Sequence, residues 1–346
     1  MVTSRDVAKH AGVSQATVSR VLSGSSAVRP ETQRRVLAAL EGLDYRPNSA
    51  ARSMRTRRSG AVGVVVANLT NPFYPEVVAA LSAELSRSSM RMMLWDSEGF
   101  GASSAVDAIQ EGVLDGLVFT TATTSASPAS TPLKLALERK APVVLLTRGV
   151  PGLLCDQVGG CDFEGAQEIV DYLVSHGRTR LALVAGPRDA STAADREAGF
   201  WEAVHRHGID PATIPSVRGD FSHDGGKQCL DKLIQNPSRP TAIFCVNDLT
   251  AFGVIDACRS AGIQVPHDVW VVGYNDIAIA GWKGYDLTTQ RQPVAAMAAT
   301  AVELLLERVA RPTLPPRTRR FPPELIVRGS TNHAGWTKNQ RAKGPS

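Results

Sequence analysis

Short apolar runs rich in Val, Ile and Leu recur from residue 61 onward and constrain the fold of this 346-residue chain more than any other feature. Each run is followed by a stretch with helical spacing of apolar residues, which is the pattern of βαβ units and parallel sheets. The runs fall into two series, one before residue 150 and one after residue 180, and this predicts two doubly wound parallel-sheet subdomains. The runs are AVGVVVA (61–67), RMMLW (91–95), GLVF (116–119), PVVLL (142–146), RLALVA (180–185), TAIFCV (241–246) and DVWVVGY (268–274).

The overall composition is that of a globular protein with a sizeable core, at 43% hydrophobic and 21% charged residues. No apolar run approaches the roughly 18 residues of a membrane-spanning helix. The opening MVTSRDVAKHAG also has no apolar signal-peptide core, so we expect a cytoplasmic protein with no membrane partner. The five cysteines include no Cys-x-x-Cys pair, which predicts reduced, mostly buried thiols and neither a metal site nor a cofactor.

The net charge is concentrated at the start of the chain. Residues 1–60 carry eleven Lys and Arg against four Asp and Glu, a net charge of +7, whereas the rest carries 27 basic and 29 acidic residues. A small basic module joined to a near-neutral body predicts that the module alone binds a polyanion.

The first sixty residues predict three helices. Thr3 and Asp6 have the spacing of a capping box that opens the first. Ser14 suits the N-cap of a second helix over 15–22, and Pro30 suits the first position of a third. Two helices joined by a turn, with a third behind them, form a helix-turn-helix unit. The apolar residues expected to face its core are Val18, Val21, Leu22, Val36, Leu37, Leu40 and Leu43.

The start of the second helix carries side chains suited to the DNA major groove, which a helix of this kind enters end-on. Gln15 can pair with adenine, Arg20 can pair with guanine, and the Ala16 methyl group can touch a thymine methyl group. A solvated helix face is an equal alternative at any one position, but the whole set within a +7 module predicts DNA binding. The hydroxyl groups suited to phosphate contacts near the positive helix end are those of Ser14, Thr17 and Ser19.

These same residues carry a family resemblance. TSRDVAKHAGVSQATVSRVL (3–22) and ETQRRVLAALEGLDYRPNSAARSMRT (31–56) resemble the headpiece and hinge of the lac repressor-type (LacI/GalR) family, and the resemblance extends over nearly the whole chain. It implies that residues 48–55 form a short helix only on operator DNA. It also implies that Met54, where many members have Leu, is inserted between base pairs from the minor groove. The DNA-binding residues that the resemblance adds are Thr3, Tyr45, Asn48, Ala51, Arg52, Met54 and Arg55.

The resemblance further implies a periplasmic-binding-protein-like core, in which the chain crosses three times between an N-subdomain and a C-subdomain. The implied ranges are a headpiece at 1–47, a hinge helix and linker at 48–60, a core at 61–334, an N-subdomain at 61–160 and 292–320, a C-subdomain at 161–290 and 321–334, and a disordered tail at 335–346.

Polar motifs follow several predicted strands, at the carboxyl ends where ligands bind in doubly wound folds. The motifs are NPFY (71–74), R-x-x-G-F (196–200), GDFS (219–222), VND (246–248), GYND (273–276) and RQP (291–293). We expect Arg196 to donate forked hydrogen bonds to an effector, with a structural ion pair as the alternative. Aromatic rings at Phe73, Phe221 and Trp282 are candidates to lie against a sugar ring, with core packing as the alternative. The effector-pocket residues that the resemblance implies are Phe73, Tyr74, Thr124, Arg196, Phe221, Asn247 and Asn275.

Three positions depart from the family pattern by lacking a carboxylate. Thr147 stands before Arg148 where the family often has Asp, and Cys161 stands before Asp162 where the family often has Asp-Asn. Asn275 replaces the usual first Asp of the motif after the last long strand. These losses weaken the recognition of neutral sugar hydroxyls and favour an acidic or otherwise less usual ligand.

The combined prediction is a nucleoid-associated transcriptional regulator, most simply a repressor, that binds pseudo-palindromic operator DNA and responds to a sugar, sugar acid or polyol. The tail lacks the leucine heptad of tetrameric members, so we expect a homodimer. An enzyme, such as a DNA-binding sugar kinase, is the first alternative, but the chain has no G-x-x-x-x-G-K-[ST], G-x-S-x-G or H-E-x-x-H motif and no assignable catalytic residue. A secreted solute-binding protein is the second alternative, and the basic headpiece argues against it.

Overall fold

The computed structural model describes residues 2–22, 27–45, 58–66, 68–97, 102–123, 131–235 and 239–331. The chain divides into two compact units, Met1–Ser59 and Gly60–Ser346. None of the helices in these described ranges is long and apolar enough to cross a membrane.

The first unit, the headpiece, has the three predicted helices. The capping box is confirmed, since Thr3 Oγ1 accepts a hydrogen bond from the Asp6 amide and Asp6 Oδ2 accepts one from the Thr3 amide. Ser14 Oγ accepts a hydrogen bond from the Thr17 amide at 3.2 Å, as expected of an N-cap. The helices are α1 (Ser4–His10), α2 (Gln15–Leu22) and α3 (Pro30–Gly42).

The headpiece core is smaller than the sequence predicts. Val18 and Val36 are fully buried, but Leu22 and Leu37 were wrongly assigned to the core and are 37% and 50% exposed. Leu22 follows the buried Val21, and Leu37 follows the buried Val36. Adjacent helical side chains point about 100° apart, so a leucine and the valine before it cannot both face the core. Leu40 and Leu43 are partly buried against the core.

A single arginine closes the turn between α1 and α2. Gly12 has φ +62°, a backbone conformation that L side chains rarely adopt. Arg35 of α3 donates from Nη2 to the carbonyl oxygens of Ala11 at 2.5 Å and of Gly12 at 3.3 Å. These carbonyls lie at the C-terminal end of α1, where the helix leaves acceptors unpaired. Arg35 therefore stabilises the headpiece in addition to adding to its positive charge.

The second unit begins with a six-stranded, wholly parallel sheet in the order β11-β5-β4-β3-β1-β2. Its central strands are fully buried, as expected of a parallel sheet covered on both faces. Its strands are β1 (Ala61–Val66), β2 (Arg91–Asp96), β3 (Gly116–Phe119), β4 (Val143–Leu146), β5 (Asp156–Gly160) and β11 (Thr318–Phe321).

The second sheet has the order β12-β10-β9-β8-β6-β7 and is parallel apart from the edge strand β12. Two such sheets with helices between their strands confirm the predicted fold class. Its strands are β6 (Leu181–Ala185), β7 (Ser216–Arg218), β8 (Ala242–Cys245), β9 (Trp270–Asn275), β10 (Thr288–Arg291) and β12 (Glu324–Ile326).

Eight further α-helices among the described residues connect the strands. The helices are α4 (Phe73–Arg87), α5 (Ala102–Gln110), α6 (Thr131–Glu138), α7 (Asp162–Ser175), α8 (Ser191–Arg206), α9 (His223–Ile234), α10 (Asp248–Ser260) and α11 (Val294–Ala310).

The chain passes between the two sheets three times. It leaves the first sheet after β5, returns after β10, and leaves again after Phe321, one residue beyond the expected limit. The returning helix α11 is fixed to the first sheet by Arg308, whose Nη2 lies 2.9 Å from the buried carboxylate of Asp156. We call the first sheet with its helices the N-subdomain and the second the C-subdomain.

We expect Arg35→Met to lower the free energy of headpiece unfolding by about 2 kcal/mol, because the carbonyls at the end of α1 would lose a charged donor. Arg34→Met, at the neighbouring exposed position of α3, removes the same charge and serves as the control. Hydrogen–deuterium exchange of peptides covering α1 and α2 in the full chain measures the difference. Equal protection in the two variants would show that Arg35 contributes only charge.

Candidate nucleic-acid interface and ligand cleft

The predicted DNA-reading residues of α2 share one solvent-facing surface. Gln15, Ala16 and Arg20 are exposed, and Thr17 and Ser19 are partly buried beside them. Gln15 Nε2 donates to Ser4 Oγ at 2.7 Å, so a residue of α1 orients the amide that is predicted to read a base. The exposed part of α2 can therefore present an oriented amide and a guanidinium to solvent.

The other predicted DNA contacts are placed less completely. The Thr3 hydroxyl donates to Asp6 Oδ2 at 2.7 Å within the capping box, and Tyr45 packs against the headpiece core. The DNA-contact roles of both residues stay predictions. The hinge residues Asn48, Ala51, Arg52, Met54 and Arg55 lie outside the described residues.

A cleft of about 340 Å³, open on one side to solvent, lies between the two subdomains at the carboxyl ends of their strands. Six of the predicted effector-pocket residues meet there, while Thr124 lies outside the described residues. Trp282, a candidate to lie against a sugar ring, is not among the residues that line this cleft, and at 61% exposure, next to a short 3₁₀ turn, it is not packed in the core either. The lining residues are Asn71, Phe73, Tyr74, Thr147, Arg148, Thr192, Arg196, Phe221, Asn247, Asn275 and Gln292.

Five lining residues were not assigned to the pocket from the sequence. Thr147 and Arg148 follow β4 directly, and Asn71 and Gln292 belong to motifs that follow strands, so their positions already carried the signal. Thr192 lies four residues before Arg196 on α8, which places both side chains on the same face of the helix.

Arg196 is held by a buried ion pair. Its Nε and Nη2 atoms lie 2.8 and 2.7 Å from Asp162 Oδ1, and its Nη1 donates to the Val246 carbonyl oxygen at 2.6 Å. The guanidinium carbon also lies 3.7 Å from the centre of the Tyr274 ring. The structure thus favours the ion-pair alternative for Arg196, and Asp162, directly after Cys161, supplies a carboxylate close to the cleft wall.

Gly199 explains the spacing of the Arg-x-x-Gly-Phe motif. A Cβ atom at this position would lie 2.1 Å from the Phe163 carbonyl oxygen, so only glycine permits α8 to approach α7 this closely. The approach brings Arg196 on α8 beside Asp162 at the start of α7.

Asn247 orders the cleft wall through both ends of its amide. Its Oδ1 accepts a hydrogen bond from the Thr250 amide and caps α10, and its Nδ2 donates to the Phe221 carbonyl oxygen at 2.9 Å. Phe221 has φ +69°, and its ring leaves no room for a Cβ atom at Gly186. Asn247 therefore fixes the position of the Phe221 ring as well as lining the cleft.

Asn275 and Gln292 form a second pair on the same, C-subdomain side of the cleft, at the ends of β9 and β10. Gln292 Nε2 donates to Asn275 Oδ1 at 2.7 Å, which leaves Gln292 Oε1 buried without a partner among the described residues. An acceptor of this kind pairs with a hydroxyl or amino donor when one is present, because an unpaired buried acceptor is costly.

Asp248 lies beneath this wall and is completely buried. It accepts hydrogen bonds from Thr289 Oγ1 at 2.5 Å and from the Ile277 amide at 2.9 Å. Burial raises the pKa of Asp248 to about 7, and the two hydrogen bonds oppose that shift.

Two family models match the chain. The model for bacterial regulatory proteins of the lacI family matches residues 3–48, and a periplasmic binding protein-like domain matches residues 170–331. The transcriptional repressor PurR of Photobacterium profundum is 31% identical over 334 residues, which covers 95% of this chain and 98% of PurR. The ribose operon repressor of Escherichia coli (strain K12) is also 31% identical, over 95% of this chain and all of the repressor.

Solved structures agree with this likeness. A Lac repressor dimer bound to operator and the anti-inducer ONPF matches with a TM-score of 0.80 and 27% identity, over 95% of this chain and 99% of the repressor. A complex of the transcriptional regulator CelR with cellobiose matches with a TM-score of 0.72 and 28% identity, over 95% of this chain and all of CelR.

We expect Asp162→Asn to lower the free energy of unfolding by about 3–5 kcal/mol, because it leaves the buried Arg196 without its counter-charge. Asp195→Asn is the control. Burial and the neighbouring Asp162 carboxylate raise the pKa of Asp195, so the loss of its charge should cost much less than the loss of the Asp162 charge. Urea unfolding at pH 7 measures both variants, and equal destabilisation would contradict the assignment of the pair.

Asp248 predicts a pH dependence of stability. A carboxyl group whose pKa is about 7 in the fold and about 4 when unfolded binds its proton more tightly in the native state. The free energy of unfolding should therefore fall as the pH rises from about 4 to 7, by at most about 1.4 kcal/mol per pH unit from this group.

Urea unfolding of the wild type and of Asp248→Asn at several pH values tests this dependence. The variant should show the shallower fall, while Asp231→Asn, at an exposed position of α9, should follow the wild type. Parallel curves for all three proteins would refute the role of Asp248.

Proposed function

This chain belongs to the lacI family of bacterial regulatory proteins and is a DNA-binding transcriptional regulator, and we propose that it represses transcription as a homodimer under the control of a carbohydrate-like effector. The observation that carries the proposal is the presence of two sites in one chain: a basic helix-turn-helix surface and a polar cleft between two parallel-sheet subdomains. The first fits operator DNA and the second fits a small hydroxylated ligand.

Sequence reading is assigned to α2. Gln15 and Arg20 pair with base edges and Ala16 contacts a thymine methyl group, while hydroxyl groups around the start of the helix bind phosphates. Residues 48–55 form the hinge, with Met54 inserted at the centre of the operator. The exposure of the α2 residues and the orientation of Gln15 by Ser4 support this assignment.

A homodimer places two headpieces on the two halves of a pseudo-palindromic operator, since half-site symmetry mirrors protein symmetry. The Lac repressor, which matches 95% of the length of this chain, was solved as a dimer bound to operator. The operator is chromosomal DNA, so the proposed location is the nucleoid, within the cytoplasm.

The effector acts by favouring one arrangement of the two subdomains. A ligand that contacts both walls of the cleft shifts the equilibrium toward the arrangement in which both walls reach it. In the proposed mechanism this shift moves the hinge segments and changes operator affinity through a coupling of roughly 1–3 kcal/mol. The relatives are regulators rather than enzymes, and we propose no catalytic activity.

The effector class is proposed from the cleft and from the relatives. The lining is mostly amide, hydroxyl and aromatic groups, which is the chemistry that binds sugars, sugar acids and polyols. CelR was solved with cellobiose, and the ribose operon repressor is named for a sugar operon.

Gln15→Ala tests operator reading. The operator is first selected from random duplexes with the wild-type chain, and binding is then measured at fixed salt by fluorescence anisotropy. A lost base contact costs roughly 1–3 kcal/mol, so we expect the variant to bind this duplex about 5–150-fold more weakly. The variant should also lose its base preference at one base pair in each half-site.

Gln33→Ala, at an exposed position of α3, is the matched control and should bind like the wild type. If Gln15→Ala keeps every base preference, α2 does not read sequence through Gln15. If the wild type binds random and selected duplexes equally at every salt concentration, the proposed function itself fails.

A further inference from the structure

We propose that the effector is a small hydroxylated monocarboxylate, such as a sugar acid, and that Arg148 binds its carboxylate. The inference rests on the proposed function, in which this cleft holds the effector. It goes further by naming the charge of the ligand and the residue that recognises it.

The first support is the charge of the cleft wall. Its described lining contains two cations, Arg148 and Arg196, and no carboxylate. Arg196 is neutralised by Asp162 at 2.7 Å. No acidic side chain among the described residues lies within ion-pair distance of Arg148, so the wall carries one uncompensated positive charge. A neutral sugar would leave that charge unpaired, whereas a monoanion balances it.

The second support is the position of Arg148. Its guanidinium carbon lies 5.5 Å from the centre of the Phe221 ring, so a cation of the N-subdomain makes a cation–π contact with an aromatic ring of the C-subdomain across the cleft. Phe221 is itself fixed by Asn247 and Gly186. The forked donors of a guanidinium match a planar, two-oxygen acceptor, which is the geometry of a carboxylate.

The third support is the rest of the lining, which fits hydroxyl groups. Asn71, Thr147, Thr192 and Asn275 supply small polar groups. A ligand with several hydroxyl groups satisfies these positions in a way that an apolar acid does not.

The charge of the cleft wall favours a carboxylate over a phosphate ester. A phosphomonoester carries roughly −1.5 to −2 charges near pH 7, more than one unpaired guanidinium balances. A carboxylate carries a single charge, which matches Arg148.

The test is a set of matched probes measured by isothermal titration calorimetry on the full chain. Each probe set holds the hydroxyl pattern close to constant: D-ribonate, D-ribose and D-ribose 5-phosphate, then D-gluconate, D-glucose and D-glucose 6-phosphate. We expect an acid of one set to bind at least about 10-fold more tightly than its neutral sugar and than its phosphate ester, as a charge-assisted hydrogen bond would give.

Arg148→Gln should weaken binding of the preferred acid about 10-fold to 100-fold and bring its affinity to that of the neutral sugar. Arg148→Lys keeps the charge but loses the forked pair of donors, so its affinity for the acid should lie between those of the wild type and Arg148→Gln.

Thr147→Asp places a carboxylate beside Arg148, so it should weaken binding of the acid and strengthen binding of the neutral sugar. Arg311→Gln, at the exposed end of α11 and away from the cleft, is the control and should bind like the wild type.

Thermal unfolding of each variant separates loss of binding from loss of fold, and the opposite responses expected of Thr147→Asp cannot come from misfolding. If a neutral sugar binds as tightly as its acid, or if Arg148→Gln leaves their ratio unchanged, the inference is wrong while the proposed function stands. A phosphate ester that binds more tightly than the acid also overturns it. If no probe binds, or if the bound acid leaves operator affinity unchanged, the proposed effector class fails as well.

Discussion

The buried ion pair between Asp162 and Arg196 is the interaction on which the cleft depends. Taking two charges out of water is costly, so such a pair persists only when its geometry is good and further hydrogen bonds support it. Here Arg196 also donates to the Val246 carbonyl and stacks on Tyr274. The pair therefore joins the first chain crossing, helix α8, and the ends of β8 and β9. Asn247 follows Val246 directly, so its two hydrogen bonds start from a backbone that the ion pair has already fixed.

Three of the nine described non-glycine residues with positive φ values lie in the same place. Thr147, Phe221 and Asn275 all line the cleft and all have positive φ values, of 72°, 69° and 123°. Non-glycine residues in such conformations cost roughly 1–3 kcal/mol each and persist where the surroundings over-determine them. At Thr147 the amide donates to the Val158 carbonyl at 2.8 Å and Oγ1 donates to the Thr120 carbonyl at 3.1 Å. The rigid sheets thus hold the strand ends in a shape that turns side chains toward the ligand space.

The sequence predicted the parts of the fold that an apolar pattern specifies and missed those that polar contacts specify. All seven apolar runs are strands, but β10 is the sequence TTQR and is buried none the less. Its Thr289 bonds to Asp248 and its Gln290 bonds to Glu168 across 122 residues of chain, and no local pattern encodes such partners. The same limit applied to the cleft. Motifs after strands located most of its residues, but the pairing of Arg196 with Asp162 depends on how α7 and α8 pack.

The contacts that cross the cleft explain why a small ligand is enough to move the subdomains. Besides the cation–π contact of Arg148 with Phe221, the Ala278 amide donates to Glu76 Oε1 at 2.8 Å and the Gly149 amide donates to Ser191 Oγ at 3.2 Å. Each such hydrogen bond contributes only about 0.5–1.5 kcal/mol net, whereas each sheet is held by a buried apolar core. A ligand that outweighs these few links by a few kcal/mol therefore changes the angle between two rigid bodies and deforms neither. Because Arg148 takes part in one of these links, an anion bound there acts on the same contact that sets the angle.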